Sequence, residues 1–332
     1  MNIVVYWLAN GIFWRLSPAD PVSLPLAFSP GWSLINPSLY WGLPSHGMMP
    51  FGTQEPLPLG DGSCLFHCRQ LAFTCDSRLS AEAEFTAVSE TLVRMRHISG
   101  QATISRNDPM ISTTTFLDQL PEPKFPEDFK GMMNVATYQL ETAVTMAQVA
   151  VAFSEAQQFV PPSYENILLD AIAAHRTADF RKAILYAAIA CESAVGTTVD
   201  EAYEKSILPC TDRRWRVVST KSGSQVVTKD PVYEKLRNNR SDFRSLLHEL
   251  SLYVLGRSLL IENENLYQDA MKLHATRNKL AHIGDLPSSP GDQYIQLDSP
   301  GSLVSIKTAV ELFGWLGLRH DYVLPNFRFT RI

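Results

Sequence analysis

Short apolar and aromatic runs fill the first part of the chain: Ile3 to Leu8, Leu24 to Phe28, Ser38 to Trp41 and Ser63 to Phe73. Prolines at positions 18, 21, 25, 30, 37, 44, 50, 56 and 58 punctuate them. Proline lacks an N–H and clashes with the preceding helical turn, so no long helix survives that spacing. The pattern predicts short strands joined by turns, a small sheet or sandwich. Residues 1–16, "MNIVVYWLANGIFWRL", are expected to form a buried strand pair. They lack a basic leading region, contain Asn10-Gly11 and reach Arg15 before a spanning length, so they do not read as a signal peptide.

From Ser80 the period changes. Phe85, Val88, Leu92 and Met95 follow helical spacing, and Arg94, Arg96 and His97 at the end of that helix are expected on a solvated face. The proline- and acid-rich "DQLPEPKFPED" reads as a connector, placing a boundary near residue 120. Helices are predicted at about 134–158, 163–176, 178–205, 241–260, 263–283 and 302–319. The connection lengths suit an antiparallel bundle. The expected class is therefore α+β. A β-rich N-terminal domain (1–120) precedes a connector and helix (121–160) and a helical bundle (161–332). Inserted in the bundle, at about 211–244, two β-rich runs around Lys221-Ser222-Gly223-Ser224 predict a hairpin.

Charge alters this picture locally. The 332-residue chain carries a formal charge of -5, which excludes a uniformly cationic surface. Residues 211–244 nevertheless hold nine Lys or Arg against four Asp or Glu. Within them Trp215 stands among Arg213, Arg214 and Arg216, a combination suited to phosphate contact and base stacking, or to a solvated hairpin. Five unevenly spread cysteines fit reduced thiols in the cytoplasm. Cys64, His67, Cys68 and Cys75 lack a clear second ligand pair for zinc and read as buried thiols, and no metal or cofactor is expected. Phosphate-cradling glycine loops, Gly-x-Ser-x-Gly elbows and His-Glu-x-x-His helices do not occur.

The predicted helix ending in "HATRNKLAHIG" carries the densest candidate chemistry. Leu266, Ala270, Leu273 and Leu280 share a stripe, and Arg277 falls about 20° from Leu266 around the wheel. An arginine directed toward the core stays charged and requires a carboxylate. Glu192, the only charge in "AILYAAIACESAVGTTV", is the expected partner, forming a structural ion pair or part of a site. Asn278 and His282 stack four residues apart on the neighbouring face. His282 lies in the last turn before Gly284, where the helix dipole favours imidazolium.

In "RNKLAH", and in the earlier helix "DFRKAILYAAIACESAV" with its lone glutamate, the chain resembles the HEPN domains, helical bundles whose ribonuclease members carry Arg, a polar residue, three positions and then His. The resemblance covers about residues 163–320. It implies metal-independent endoribonuclease activity at a composite site formed by two copies, and hence a homodimer. Position by position it makes His282 the general acid or base and Arg277 the stabiliser of phosphoryl charge. Asn278 would orient the phosphate or His282, and Glu192 would hold Arg277. RNA contacts are then expected from Arg213, Arg214, Trp215, Arg216, Lys221 and Lys279. A role in antiviral defence or a toxin system is implied by the resemblance alone, with the N-terminal domain as sensor or receptor for a ligand or foreign protein. Members silenced by nucleotidylation have Tyr two positions after the His; this chain has Gly284, so that route is not expected. Non-catalytic members of the family serve as dimerisation or binding modules, and that is the competing expectation.

Overall fold

The computed structural model describes residues 2–42, 56–77, 79–105, 109–120, 122, 125, 134–207, 215–220, 223–228, 243–283, 293–324 and 329–331. The fold is α+β, an N-terminal antiparallel sheet followed by helices. The chain divides into two compact units, one of Met1–Pro162 with Pro325–Ile332 and one of Ser163–Leu324.

The first unit is organised on β1 (Asn2–Leu16), β2 (Ser23–Pro25), β3 (Trp32–Ile35), β4 (Leu57–Pro58), β5 (Cys64–Cys75) and β6 (Pro109–Phe116), with α1 (Ala81–Ser99) between the last two. The strand order is β2-β3-β5-β1-β6, and β4 pairs with β5. Where a strand pair was expected in residues 1–16, one long strand runs through Asn10-Gly11. A register shift between Trp7 and Ile12 takes up the irregularity, so both halves pair with β5. The run Ser38 to Trp41, expected as a strand, lies in a 3-10 helix, Pro37–Gly42. Asn36 favours that turn by accepting from the Ser38 N–H at 3.0 Å.

Helix α1 starts at Ser80, whose side chain accepts from Ala83 N, and ends at Gly100 with φ +68°. Val88, Leu92 and Met95 enter the sheet's core, whereas Phe85 is half exposed. The end of α1 differs from the solvated face expected of it: Arg94 and Arg96 are buried. Arg94 pairs with Glu90 at 2.9 Å and donates to the carbonyls of Ala152, Glu155 and Gln157. Glu90 in turn accepts from Phe159 N at 2.7 Å. Buried charge is tolerated because its hydrogen-bonding capacity is used within the fold.

The helix predicted at 134–158 is broken into β7 (Asn134–Ala136), α2 (Thr137–Glu141) and α3 (Met146–Phe153). The break has a local cause. Val144 exchanges backbone hydrogen bonds with Phe13 and Arg15 of β1, and Thr145 with Gln148 forms a capping box that starts α3 anew. Strand β7 pairs with Phe329–Arg331, which returns the C-terminus to this unit. Residues up to Pro162 therefore belong with the sheet, and the bundle expected over 161–332 gives up its last residues to it.

The second unit contains α4 (Ser163–Arg176), α5 (Phe180–Ile207), the strands β8 (Trp215–Thr220) and β9 (Gly223–Thr228), α6 (Phe243–Ser245), α7 (Ser251–Leu255), α8 (Leu259–Glu262), α9 (Glu264–Ile283) and α10 (Ser299–Trp315). Antiparallel β8 and β9 form the expected hairpin, with Thr220 opposite Gly223. The helix predicted at 241–260 is interrupted twice. A π-helical turn, Leu246–Leu250, joins α6 to α7, and Gly256 at φ +69° ends α7.

Helix α5 is the hub, packing against α4, α9 and α10. Its fully buried face is written mostly in small residues, Ala183, Ala187, Ala190 and Ala194, which let neighbouring helices approach closely. Leu168 and Ile172 of α4, Leu273 of α9, and Ile306, Leu312 and Phe313 of α10 are likewise buried. Asp298 caps α10 by accepting from Gly301 N at 2.7 Å. A Cβ on Gly301 would lie 2.1 Å from the Gln296 carbonyl oxygen, so this turn excludes any side chain.

Candidate functional site

On α9 the apolar stripe Leu266, Ala270, Leu273 and Leu280 is buried as its spacing predicts. Arg277, expected to point at the core with them, is instead about one-third exposed, at 31% for its side chain. Its length lets the guanidinium turn along the helix surface toward α5. There Nη2 lies 3.5 Å from Glu192 Oε2, so the two sequence anomalies do meet.

Two further residues complete the arrangement. Glu192 Oε1 lies 2.8 Å from His274 Nδ1. His274 Nε2 lies 2.9 Å from Asn278 Nδ2, and Asn278 Oδ1 accepts from Arg277 Nη1 at 2.8 Å. Glu192, His274, Asn278 and Arg277 thus close a ring of four side chains. Phe243, at the start of α6, stacks on His274 with 4.9 Å between ring centroids and 20° between planes. A carboxylate and a guanidinium balance in charge, which lowers the cost of placing both at a half-buried helix crossing.

His282 lies one helical turn beyond Asn278 and is exposed, near the C-terminal end of α9. Lys279 is partly exposed on the same helix. The α9 end of the site is thus open to solvent while its Glu192–His274 end is packed. Trp215 and Arg216 fall in strand β8 of the hairpin. Arg213, Arg214 and Lys221 lie outside the described residues.

Sequence reasoning missed His274 and Phe243. The signal for His274 was available: it precedes Asn278 by four positions and hence stacks beneath it. Phe243 carried no such signal, because its contact with α9 is long-range.

Among the described residues, the cysteines do not form a second site. Cys64 and Cys75 occupy the two ends of the 12-residue β5, roughly 36 Å apart at strand rise, too far to share a metal. Burial pushes the Cys68 thiol up to about 12 and raises those of Cys64 and Cys191, which keeps them protonated and unreactive. Cys64, Cys68, Cys75 and Cys191 are in no disulfide bond. Among the described residues, no group of three or more His, Cys, Asp or Glu is arranged to hold a metal. One helix among them, Phe180–Lys205, is long and apolar enough to cross a membrane by length and composition, and half of its most apolar stretch is buried. No family model, curated protein or solved structure matches this chain.

Proposed function

We propose that this chain is a HEPN-type endoribonuclease that cleaves RNA without a metal ion, acting as a cytoplasmic homodimer in antiviral defence or a toxin system. The observation that carries the reading is the meeting of Glu192 and Arg277, with Asn278 bonded to Arg277 and His282 exposed one turn further along α9. RNA supplies its own nucleophile, so a protein has only to move protons and stabilise charge on phosphorus.

In this mechanism His282 takes the proton from a ribose 2′-OH as its oxygen attacks the adjacent phosphorus. Arg277 stabilises the charge building on the phosphoryl oxygens, and Glu192 holds the guanidinium. The bond to the 5′-oxygen breaks, that oxygen gains a proton, and the products end in a 2′,3′-cyclic phosphate and a 5′-hydroxyl. Pairing of two bundles brings a second His282 to protonate the leaving oxygen. Arg213, Arg214, Arg216 and Lys221 of the basic insertion, together with Lys279, supply phosphate contacts, Trp215 stacks on a base, and the sheet unit senses a ligand or foreign protein.

One observation favours a second reading. Arg277 and Asn278 are already bonded to each other, and His274 and Glu192 complete their ring. A non-catalytic module that uses this ring to clasp α5 to α9, and its hairpin to hold a partner, would have that feature too. Incubation of the purified protein with labelled RNA in EDTA separates the two. Cleavage lost in both His282→Ala and Arg277→Ala supports the nuclease. Absence of cleavage by the wild type supports the module, and dependence on a divalent metal contradicts the mechanism.

A further inference from the structure

The ring around Glu192 has only one consistent pattern of protons. A carboxylate can only accept and a guanidinium can only donate, so the ends of the ring are fixed. Glu192 Oε1 therefore requires a proton on His274 Nδ1, 2.8 Å away. Arg277 Nη1 requires an acceptor 2.8 Å away, which must be the amide oxygen of Asn278. That leaves the Asn278 amide nitrogen facing His274 Nε2 at 2.9 Å, and this nitrogen must then be the unprotonated one. An imidazolium, or the other neutral tautomer, would set two donors against each other.

We propose that His274 is the positioning residue of this site: through its Nδ1–H tautomer it turns the Asn278 amide so that its oxygen holds the Arg277 guanidinium in place. The inference rests on the reading of Arg277 as the group that meets RNA phosphate. The ring of His274 is itself immobilised, bonded on one side to α5 through Glu192 and stacked on Phe243 of α6. Asn278 alone has two amide orientations of nearly equal shape, and only one of them presents an acceptor to Arg277. His274 selects it. The benefit is preorganisation: a guanidinium held in one orientation needs no rearrangement when charge develops on the phosphate.

Two variants test this. In His274→Gln the amide can donate to Glu192 and accept from Asn278, because its nitrogen and oxygen are spaced much like the two ring nitrogens. In His274→Phe the stacking on Phe243 is kept and both hydrogen bonds are lost. With a labelled mixed-sequence single-stranded RNA in EDTA, kcat is expected to fall about 10-fold or more in the Phe variant, the scale of losing one positioned group. KM should stay within about twofold, and the Gln variant should recover most of kcat. Nitrogen-15 NMR of the wild type should report His274 as the neutral Nδ1–H tautomer. The Arg277 guanidinium signals should be dispersed in the wild type and Gln variant and averaged in the Phe variant.

Equal kcat in all three proteins would overturn the proposal while leaving the nuclease reading intact. Absence of cleavage by the wild type would instead defeat the nuclease reading. The NMR comparison then decides on His274 by itself: averaged Arg277 signals in the Phe variant alone uphold its positioning role, and unchanged signals refute it.

Discussion

Glu192 on α5 reaches His274 on α9 across 2.8 Å, and its other carboxylate oxygen lies 3.5 Å from Arg277, so one side chain ties two residues of the same helix to the hub of the unit. Replacing Glu192 by Gln keeps the shape and removes the charge. One end of the amide must then present N–H groups to a donor. Glu192→Gln is expected to destabilise the helical unit by about 1 to 2 kcal/mol, the range for a lost charged hydrogen bond at a partly exposed site. Urea unfolding monitored by helical circular dichroism measures it, and an unchanged midpoint would show that the ring contributes nothing to holding α5 and α9.

Arg94 makes a comparable but more buried connection in the sheet unit. Its side chain is 2% exposed, pairs with Glu90 and reaches three carbonyls in residues 152–157. It also lies over the Phe28 ring, 4.3 Å from the centroid. Truncating one partner leaves the other charge buried. Arg94→Met should cost about 3 to 5 kcal/mol. Arg94→Lys should recover only part of that, since an ammonium cannot reproduce the planar fork. Proteolysis between residues 150 and 160 in the Met variant, compared with wild type, gives an independent readout of the released segment.

Stability should also depend on pH through His67. Burial, and secondarily the charge of Arg69, hold its pKa below the usual histidine value of 6.5. The ring stacks on Phe13 and covers Gly11 so closely that a Cβ there would sit 1.8 Å from Nε2. Because the folded form resists the proton, the unfolded chain binds more protons once pH drops below about 6.5. Stability is therefore full above that value and declines as pH falls toward the native one. His175 in the helical unit is lowered by burial in the same sense. The urea midpoint should fall between about pH 7.5 and about pH 5.5, and His67→Asn should flatten the share belonging to the sheet unit. A midpoint that rises over that range would contradict the assignment.

How much of this was legible beforehand differs by element, for physical reasons. Helices α4 and α9 were predicted within a residue or so of their ends, because an apolar stripe of helical period runs through each and turn residues bound them. The 134–158 segment was misread because its periodicity said nothing of Val144 bridging to β1, a contact between residues far apart in sequence. Arg94 and Arg96 looked solvated for the same reason: the chain that buries Arg94 arrives some 60 positions later. At the site, Glu192 and Arg277 stood out as charges in apolar surroundings and were found to meet. The wheel overstated Arg277's burial because it records where a Cβ points, not where a long side chain ends. His274 shows its spacing from Asn278 in the sequence, but its bond to Glu192 on another helix leaves no sign there.

An RNA-cleaving site on α9 would be known by the ends it leaves on a labelled RNA cut in EDTA. The wild type is expected to leave 2′,3′-cyclic phosphate and 5′-hydroxyl ends, with the rate reduced about 100-fold or more in His282→Ala, as for loss of a general acid or base. Products bearing 5′-phosphate and 3′-hydroxyl ends, or cyclic-phosphate products formed equally fast by His282→Ala, would contradict it.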